Sequence, residues 1–431
     1  MVPLAGELSV PQLNPMSVAE IPAVPTPSGE VRPLRILVAA DVPADPNSGA
    51  AGTVYQMNAA FRRLGHTVDE IWAPELGRRI QHGNLHYLLE LPLSYRRALR
   101  RRLRHHEYDV VEFNQPHAYL AAAEFRRRRV HGVFVNRSHG HEVRVEEVLQ
   151  PWRKRCGVPE LSGVRGFVSR WLRVLLDGHW TRIAATADGF HVSSTEDATF
   201  LEERYGVDAE RIGVVPQGVP DGFLDHPVRP MTTARLQRLL YVGQFAFVKA
   251  PQMVAAAVST LLEKHPELTM TWVCSGDHHS AARDLLSEPA RGRVTFLEWM
   301  PQDQLLTILD EHGIFLFPSF FEGFGKAPLE AMSRGLCVVA SRTGGMRDFI
   351  EDGVSGRLTP IGEPEWMVDA VEHLLANPEQ AAMLSLAARR VALHHRWERC
   401  AMDVTRFYLS LLVHKAMMAT GRNPQTLRVP K

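Results

Sequence analysis

Short apolar runs alternate with longer helix-like segments along this chain, and the alternation occurs twice. The first series extends from Leu34–Ala40 to Gly189–Ser193, and the second from Leu239–Gly243 to Cys337–Ala340. Apolar runs of this length, separated by helical segments, are typical of strands buried on both faces of a parallel sheet. The pattern therefore predicts the α/β fold class, with two domains that each contain a doubly wound parallel sheet.

The chain length fits two domains, because 431 residues exceed what one hydrophobic core of ordinary size contains. We expect a disordered leader at residues 1–30, since that stretch is rich in Pro and Ser and has no periodic pattern. The other predicted boundaries are an N-terminal domain at 31–220, a linker at 221–234, a C-terminal domain at 235–385 and returning helices at 386–420. Doubly wound domains bind ligands at the carboxyl ends of their strands, so the active site is expected in a cleft between the domains.

The overall composition excludes several classes of protein. Hydrophobic residues make up 45% of the chain and charged residues 23%, as in an ordinary globular protein. The 49 basic residues nearly balance the 48 acidic ones, which argues against nucleic acid as a partner. No uncharged run reaches the roughly 18 residues that span a bilayer, and the N-terminus lacks signal-peptide features, so we expect a cytoplasmic protein. The 4 cysteines are too widely spaced to form a metal-binding pair.

The segment that indicates most about the chemistry is 318–335. A strand is predicted to end at its first residues, a Gly-containing loop follows, and a helix starts near Lys326 or Ala327. Gly323 and Gly325 allow the backbone of this loop to approach a ligand closely. The unpaired N–H groups at the helix start, together with the helix dipole, favour an anion at this position.

Two carboxylates flank this predicted anion site. Glu322 lies on the loop before the helix, and Glu330 lies in an early turn of it. Both side chains would be poor contacts for a phosphate, because like charges repel. They are better suited to accept hydrogen bonds from hydroxyl groups on either side of a diphosphate, and a nucleotide sugar carries ribose hydroxyls on one side and sugar hydroxyls on the other. The alternative is that both acids only stabilise the positive end of the helix dipole.

Several motifs in order along the chain carry a resemblance to a known family. Glu322 and Glu330 match an E-x7-E signature. The accompanying elements are Val214–Val219, Leu239–Ala250, Val338–Gly356 and Trp397–Glu398. Together these segments resemble the retaining, GT-B-fold glycosyltransferases of the large bacterial family 4, also called group 1, and the resemblance covers most of residues 35–410. It implies two facing Rossmann-like domains with an interdomain cleft.

The resemblance also implies roles for residues on the donor side. Glu322 would contact hydroxyl groups of the donor sugar, Glu330 the ribose, and Lys249 would neutralise the diphosphate leaving group. The basic residue that the family usually has five positions before this lysine is replaced by Gln244, which can donate a hydrogen bond but carries no charge. The remaining residues expected to bind the donor are Gly243, Gly323, Phe324, Gly325 and Lys326. Lys249 could alternatively be a solvated surface residue.

On the N-terminal side, the segment Asn47–Gly52 resembles the family's Gly-bearing loop near the phosphates, which assigns Gly49 and Gly52 to donor binding. The segment Arg137–Glu142 resembles a strand end whose histidine faces the reacting sugar, so His139 is the expected catalytic histidine. A purely structural role for His139 stays open. His117, at another strand end, is the competing candidate.

The implied activity is sugar transfer from a nucleotide-diphosphate sugar to a hydroxyl group of a glycan, lipid or small molecule, with retained anomeric configuration. Its expected setting is the synthesis of cell-surface polysaccharides or glycoconjugates. The resemblance implies no metal ion and no other cofactor. Three alternatives remain at this point, namely a non-catalytic protein of the same fold that binds sugar nucleotides or glycans, a sugar-nucleotide epimerase, and a basic membrane-surface adaptor, which would leave the motif of the C-terminal domain unexplained.

Arginine clusters concentrate in the N-terminal half of the chain. They lie at 96–104, 126–129, 153–155 and 170–173. Solvated helix faces account for such clusters in the simplest case. The functional alternative is contact with anionic lipid headgroups, which would place the protein peripherally on the inner face of a membrane. Binding to RNA is disfavoured, because no aromatic and basic nucleic-acid-binding module accompanies the clusters.

Overall fold

The computed structural model describes residues 32–46, 48–138, 140, 142–159 and 162–419, so the predicted leader at 1–30 lies outside the described residues. Within these ranges the chain forms two parallel sheets of six strands each, surrounded by helices. This arrangement confirms the predicted α/β class with two doubly wound sheets.

The first sheet contains the N-terminal half of the chain. Its strands are β1 (Arg35–Ala39), β2 (Thr67–Ile71), β3 (Val110–Asn114), β4 (Val133–Arg137), β5 (Gly189–Val192) and β6 (Ile212–Val214). They lie in the order β2-β1-β3-β4-β5-β6. The helices around this sheet are α1 (Gly49–Arg63), α2 (Ala73–Leu76), α3 (Gly83–Leu85), α4 (Leu91–Arg102), α5 (Tyr119–Arg127), α6 (Glu142–Arg155), α7 (Gly163–Thr186) and α8 (Thr195–Tyr205). A π-helical turn, His86–Glu90, leads from α3 into α4.

The second sheet contains the C-terminal half. Its strands are β7 (Arg238–Val242), β8 (Thr269–Val273), β9 (Val294–Leu297), β10 (Ile314–Phe317), β11 (Cys337–Ser341) and β12 (Arg357–Thr359), in the order β12-β11-β10-β7-β8-β9. The helices of this half are α9 (Asp221–Asp225), α10 (Thr233–Leu236), α11 (Pro251–Lys264), α12 (His279–Asp284), α13 (Glu288–Arg291), α14 (Gln302–Glu311), α15 (Lys326–Ser333), α16 (Met346–Phe349), α17 (Pro364–Ala376), α18 (Pro378–Leu393) and α19 (Trp397–Ala419). The edge strands β6 and β12 had no counterpart among the predicted strands.

The last helix, α19, packs on the outer face of the first sheet against α1. Two strand glycines make room for it. A Cβ atom at Gly189 would lie 2.3 Å from the Leu411 side chain, and one at Gly213 would lie 2.6 Å from the Phe407 ring. The helix α19 therefore completes the core of the N-terminal half.

The segment between the two sheets packs on the C-terminal half. Phe223 and Leu224 of α9 belong to the hydrophobic core of the second sheet. The buried Arg334 guanidinium pairs with Asp310 at 2.8 Å and donates hydrogen bonds to the carbonyls of Phe223 and His226. This segment is therefore held by the second sheet rather than being a free tether.

The carboxyl ends of the two sheets face each other. Gly140 follows β4, and a Cβ atom placed on it would lie 3.5 Å from the Phe321 ring, which follows β10. The Trp152 ring of α6 stacks on Phe320 with ring centroids 5.1 Å apart and an interplanar angle of 7°. These contacts place the loops after β4 and β10 on the two sides of one interdomain cleft.

Candidate active site

A lysine and a carboxylate meet at the carboxyl edge of the second sheet. Lys249 follows β7 in a short 3-10 turn, and Glu322 lies on the loop after β10. Because β7 and β10 are hydrogen-bonded neighbours, their following loops emerge side by side. The Lys249 ammonium forms an ion pair with the Glu322 carboxylate, and the Ser319 hydroxyl donates to the same carboxylate oxygen at 2.9 Å. The structure therefore brings together the residues predicted to contact the sugar and the diphosphate.

The second predicted carboxylate lies on the helix that follows. The helix α15 begins at Lys326, at the predicted position, after Gly325 with a φ of +98°. Glu330 is buried, and its carboxylate lies 3.5 Å from the Lys326 Nζ. Burial raises the pKa of Glu330, and the neighbouring ammonium opposes that effect. The start of α15 thus combines free backbone N–H groups, a lysine and a buried hydrogen-bond acceptor.

Two glycines support the loop that carries Glu322. A Cβ atom at Gly344, where φ is +57°, would lie 2.1 Å from the Glu322 backbone oxygen. The Gly345 N–H donates to the Gly323 carbonyl at 3.2 Å, and a Cβ atom there would lie 2.7 Å from the Phe324 ring. Only residues without a side chain allow this close approach between the two loops. The sequence signal for this support was a Gly-Gly pair directly after a buried strand, which also fits an ordinary turn.

The remaining predicted donor residues lie around this centre. Gly243 follows β7, and a Cβ atom on it would lie 2.5 Å from the Tyr241 hydroxyl. The Gln244 side chain is exposed. The Phe324 ring is buried against Phe349 at a centroid distance of 5.1 Å, so it contributes to the hydrophobic core of the domain.

Tyr241 is a polar group at the site that the sequence did not indicate. It is fully buried, and its hydroxyl has no hydrogen-bond partner among the described residues. Burial raises the pKa of Tyr241, and the negative charge of Glu322 adds to that effect. The Tyr241 hydroxyl therefore stays protonated and can donate a hydrogen bond.

The N-terminal side of the cleft differs from the prediction at one element. Gly49 and Gly52 were expected on a loop, but α1 begins at Gly49 and both glycines lie in its first turn. A Cβ atom at Gly52 would lie 2.5 Å from the Pro46 carbonyl oxygen, so a glycine is required where the preceding segment crosses the helix start. His139 lies outside the described residues.

The competing histidine, His117, forms a buried pair. Its Nδ1 atom lies 3.1 Å from the Nδ1 atom of His179 on α7, and its ring stacks on Tyr87. Burial lowers the pKa of His117 to about 3 and that of His179 to about 4. Both rings are therefore neutral near pH 7, and one donates to the other. This pairing is typical of a structural role.

Contacts across the cleft surround the donor loop. Glu196, in the first turn of α8, accepts hydrogen bonds from the Gly344 N–H at 2.7 Å and from Arg347 at 2.8 Å. Arg144 of α6 pairs with Glu196 at 2.5 Å, and its guanidinium lies 5.0 Å from the Phe321 ring centroid. The N-terminal half of the chain therefore contacts both the glycine turn and the loop that holds Glu322.

Among the residues that the structure describes, no cluster of three or more His, Cys, Asp or Glu side chains is arranged to hold a metal ion. None of the described helices is long and apolar enough to cross a membrane.

Two family patterns match the two halves of the chain. The pattern described as "Glycosyltransferase Family 4" matches residues 47–223, and the pattern described as "Glycosyl transferases group 1" matches residues 237–377. Together they cover the second sheet and every strand of the first sheet except β1, and they include Lys249, Glu322 and Glu330.

Curated relatives carry the name D-inositol 3-phosphate glycosyltransferase. The protein of Corynebacterium urealyticum is 28% identical over 247 residues, which are 53% of this chain and 58% of the relative. The protein of Rhodococcus jostii is 29% identical over 315 residues, 68% of this chain and 70% of the relative. The chain therefore spans less than two thirds of the length of the Corynebacterium urealyticum protein.

Solved structures share the fold over nearly the whole chain. Sucrose-phosphate synthase from Thermosynechococcus elongatus has a TM-score of 0.68 and 21% identity, covering 88% of this chain and 99% of that one. HepE from Anabaena, solved in complex with UDP and glucose, has a TM-score of 0.56 and 17% identity, covering 90% of this chain and 100% of that one. These likenesses confirm the predicted GT-B architecture of two facing Rossmann-like domains.

Proposed function

The chain belongs to the group 1 glycosyltransferases of family 4, and we propose that it transfers a sugar from a nucleotide-diphosphate sugar to a hydroxyl acceptor with retention of configuration. The observation that carries this proposal is the convergence of Lys249 and Lys326 with the carboxylates of Glu322 and Glu330 at one sheet edge. Cations for a diphosphate and acceptors for hydroxyl groups then lie within one site.

The donor diphosphate lies, in this proposal, between Lys249 and the start of α15. In the free protein the Lys249 ammonium is paired with Glu322. Binding of the donor lets a phosphate oxygen share this ammonium, while the Glu322 carboxylate accepts a hydroxyl group of the sugar. Glu330, buried at the other side of the helix start, accepts from the ribose. Since Gln244 supplies no charge, Lys249 and the backbone N–H groups carry most of the stabilisation of the diphosphate.

The reaction breaks the bond between the anomeric carbon and the diphosphate oxygen and forms a bond between that carbon and the acceptor oxygen. Negative charge grows on the leaving group, and donors already oriented toward it stabilise that charge without reorganisation. The departing phosphate oxygen accepts the proton of the acceptor hydroxyl on the same face of the sugar, so no separate general base is assigned. The proposal that His139 faces the reacting sugar rests on the resemblance of Arg137–Glu142 alone.

We also propose that no metal ion takes part, because two lysines and the N–H groups of α15 already supply positive charge at the diphosphate position. Activity is then expected to survive an excess of EDTA. A strict requirement for added Mg²⁺ or Mn²⁺ would contradict this part of the proposal.

The acceptor is proposed to be a hydroxyl group of a glycan, a lipid or a small molecule in the synthesis of cell-surface polysaccharides or glycoconjugates in the cytoplasm. The name of the curated relatives adds a polyol phosphate, D-inositol 3-phosphate, as one small-molecule candidate. This candidate is tested by adding the compound to a donor-loaded reaction and measuring release of the nucleoside diphosphate.

The central experiment is a thermal-shift screen of the full chain against UDP-, GDP-, ADP- and TDP-sugars. Ligand that binds only the folded state raises the melting temperature by mass action. We expect the sugars of one nucleotide base to raise the melting temperature, and we expect the Lys249→Ala variant to show no such increase. The NMR coupling constant of the product's anomeric proton should then match the configuration of the donor.

Other outcomes of the same experiment identify the competing functions. A thermal shift without sugar release for any acceptor class would indicate a binding protein. Interconversion of the donor sugar without an acceptor would indicate an epimerase. An inverted anomeric configuration in the product would contradict the retaining mechanism.

A further inference from the structure

The first half of α7 exposes bulky apolar side chains to solvent. Val164, Phe167, Val168, Trp171 and Val174 have exposed fractions of 79%, 64%, 43%, 48% and 69%. Contiguous exposed apolar surface of this kind is rare on a soluble protein and marks a surface that another phase or molecule covers. We name these five residues the α7 stripe.

The stripe occupies one side of the helix. Its members are spaced by three, one, three and three residues, which places them on a single face at 3.6 residues per turn. The opposite face of α7 packs on the domain, as the buried Trp180 and Ile183 show. The stripe thus lies on the side of α7 opposite the residues that the second half of the helix buries in the core.

The charged residues of the first half of α7 are positive, and the first acidic residue of the helix is Asp177, one turn after Arg173. The segment 163–176 contains three arginines and no Asp or Glu. Arg170 and Arg173 are exposed and have no ion pair or hydrogen bond with another described residue. Arg170 borders the stripe, three residues after Phe167 and four before Val174, whereas Arg173 lies on the far side of the same exposed turns. An apolar helical face with Trp and Phe, on a helix end that carries exposed arginines, fits the boundary between the headgroups and acyl chains of an anionic bilayer.

The other arginine clusters differ, because many of their members already have protein partners. Arg100, Arg127 and Arg128 all pair with the buried Glu124. Arg153 pairs with Glu146 at 2.6 Å. The Arg170 and Arg173 side chains are therefore the better candidates for lipid contact.

A second apolar surface adjoins α7. The exposed side chains of Leu85, Tyr87, Leu89 and Leu93 belong to α3, α4 and the π-helical turn between them. This turn contacts α7, and the Tyr87 ring stacks on His117, which in turn contacts His179 of α7. The two surfaces lie on the same half of the protein.

We propose that the α7 stripe, together with Arg170 and Arg173, docks this protein on an anionic lipid surface. A second copy of the chain fits less well, because an isologous contact over α7 would bring the arginines of both copies together. A protein partner would need a groove for a convex helix, whereas a bilayer accepts one directly. This proposal goes beyond sugar transfer and does not depend on it.

The test is co-sedimentation of the full chain with vesicles, measured without sugar donor. We expect binding to vesicles of phosphatidylcholine mixed with phosphatidylglycerol, weak binding to phosphatidylcholine alone, and loss of binding in high salt. The double variant Phe167→Ser/Trp171→Ser should lower the partition constant at least about tenfold, because the apolar contact is removed. The matched control Trp366→Ser/Leu386→Ser, on exposed residues of the C-terminal half, should bind as the unchanged protein does.

The charge is tested separately. Each arginine near an anionic surface contributes about fivefold to the partition constant, so Arg170→Gln/Arg173→Gln should weaken binding well beyond Arg229→Gln/Arg390→Gln. All four positions are exposed, and unchanged melting curves verify folding. The proposal is overturned if the chain does not sediment with anionic vesicles, or if the stripe variant binds equally well. It is also overturned if light scattering shows a dimer that the stripe variant abolishes, because a second copy would then cover the stripe.

Discussion

The carboxylate of Glu196 accepts a hydrogen bond from the backbone N–H of Gly344 at 2.7 Å, although 148 residues separate them. Gly344 in turn lies against the backbone of Glu322. A side chain at this position would clash with the Glu322 backbone oxygen, so the contact requires a glycine. A residue of the N-terminal half therefore holds the turn that supports the donor loop of the C-terminal half. The position of one half relative to the other is thus linked to the geometry of the proposed donor site.

The first prediction concerns this link. Glu196→Gln keeps the shape of the side chain but removes its charge, so its bonds to Arg144 and Arg347 lose their ionic character. Charge-assisted hydrogen bonds contribute about 1.5–3 kcal/mol each when they are well shielded from water. Because Glu196 is partly exposed, we expect the variant to lose stabilising free energy at the lower end of that range. The KM for the donor should rise several-fold with a smaller change in kcat.

The matched control for this variant is Glu203→Gln on the same helix. Glu203 is exposed and has no side-chain partner among the residues that the structure describes. Equal donor KM values for the two variants would show that the contact between Glu196 and the glycine turn has no part in donor binding.

A second prediction concerns acid stability. Glu112 of β3 is fully buried. Its carboxylate lies 3.3 Å from the Arg137 guanidinium and 3.0 Å from the Nδ1 atom of His191, and it accepts a hydrogen bond from the Tyr408 hydroxyl of α19. Burial alone would raise the pKa of Glu112, but Arg137 and these hydrogen bonds lower it from 4.5 to about 2. The stability that this carboxylate contributes is therefore complete above pH 4.5 and is lost as the pH falls toward 2.

Urea unfolding at several pH values checks this prediction. Glu112→Gln should be less stable near pH 7, because Arg137 is left buried without its partner, and its stability should depend less on pH below 4.5. Tyr408→Phe removes only one hydrogen bond to a charged group and should cost about 1.5–3 kcal/mol. A Glu112→Gln variant with the same pH slope as the unchanged protein would contradict the role of this group.

The third prediction concerns the glycine turn. Gly344→Ala requires a Cβ atom 2.1 Å from the Glu322 backbone oxygen, so the loop must move and donor turnover should fall at least about tenfold. Gly353→Ala is the control, since Gly353 also has a positive φ, of +79°, but has open space around it. The two variants share the backbone strain and differ in the clash. Similar activity in both would mean that the position of this loop is not set by Gly344.

The fold was largely predictable from the sequence because the central strands are continuous apolar runs. The edge strands β6 and β12 have only three residues each, with the sequences IGV and RLT, so neither contains an apolar run of the length that marked the other strands. In the site, the positions of Lys249 and Glu322 after two strands were readable. Their ion pair depends on β7 and β10 being neighbours, and that order follows from the crossovers rather than from any local pattern.

Contacts between distant segments were the part that the sequence did not indicate. Glu196 was recognisable only as an acid in the first turn of a helix, since its partners belong to the other half of the chain. Gly49 and Gly52 fit a flexible loop as well as a helix start, because glycine has no strong preference between them at such a position. The place of Gly52 in α1 is set by its close approach to Pro46, whereas Gly49 has open space around its Cβ position.

The last prediction concerns the pair at the centre of the donor site. Lys249→Ala removes the ammonium proposed to stabilise the departing diphosphate, and Glu322→Ala removes the acceptor for the sugar hydroxyl group. Loss of one such group from a preorganised site lowers kcat about 100- to 1000-fold. Lys264→Ala is the matched control, because Lys264 lies in the same half of the chain and pairs with Glu372 on an exposed surface. Release of the nucleoside diphosphate measures the activity, and a single cooperative melting transition in every variant verifies the fold. If Lys249→Ala and Lys264→Ala retained equal activity, the diphosphate would have to bind elsewhere.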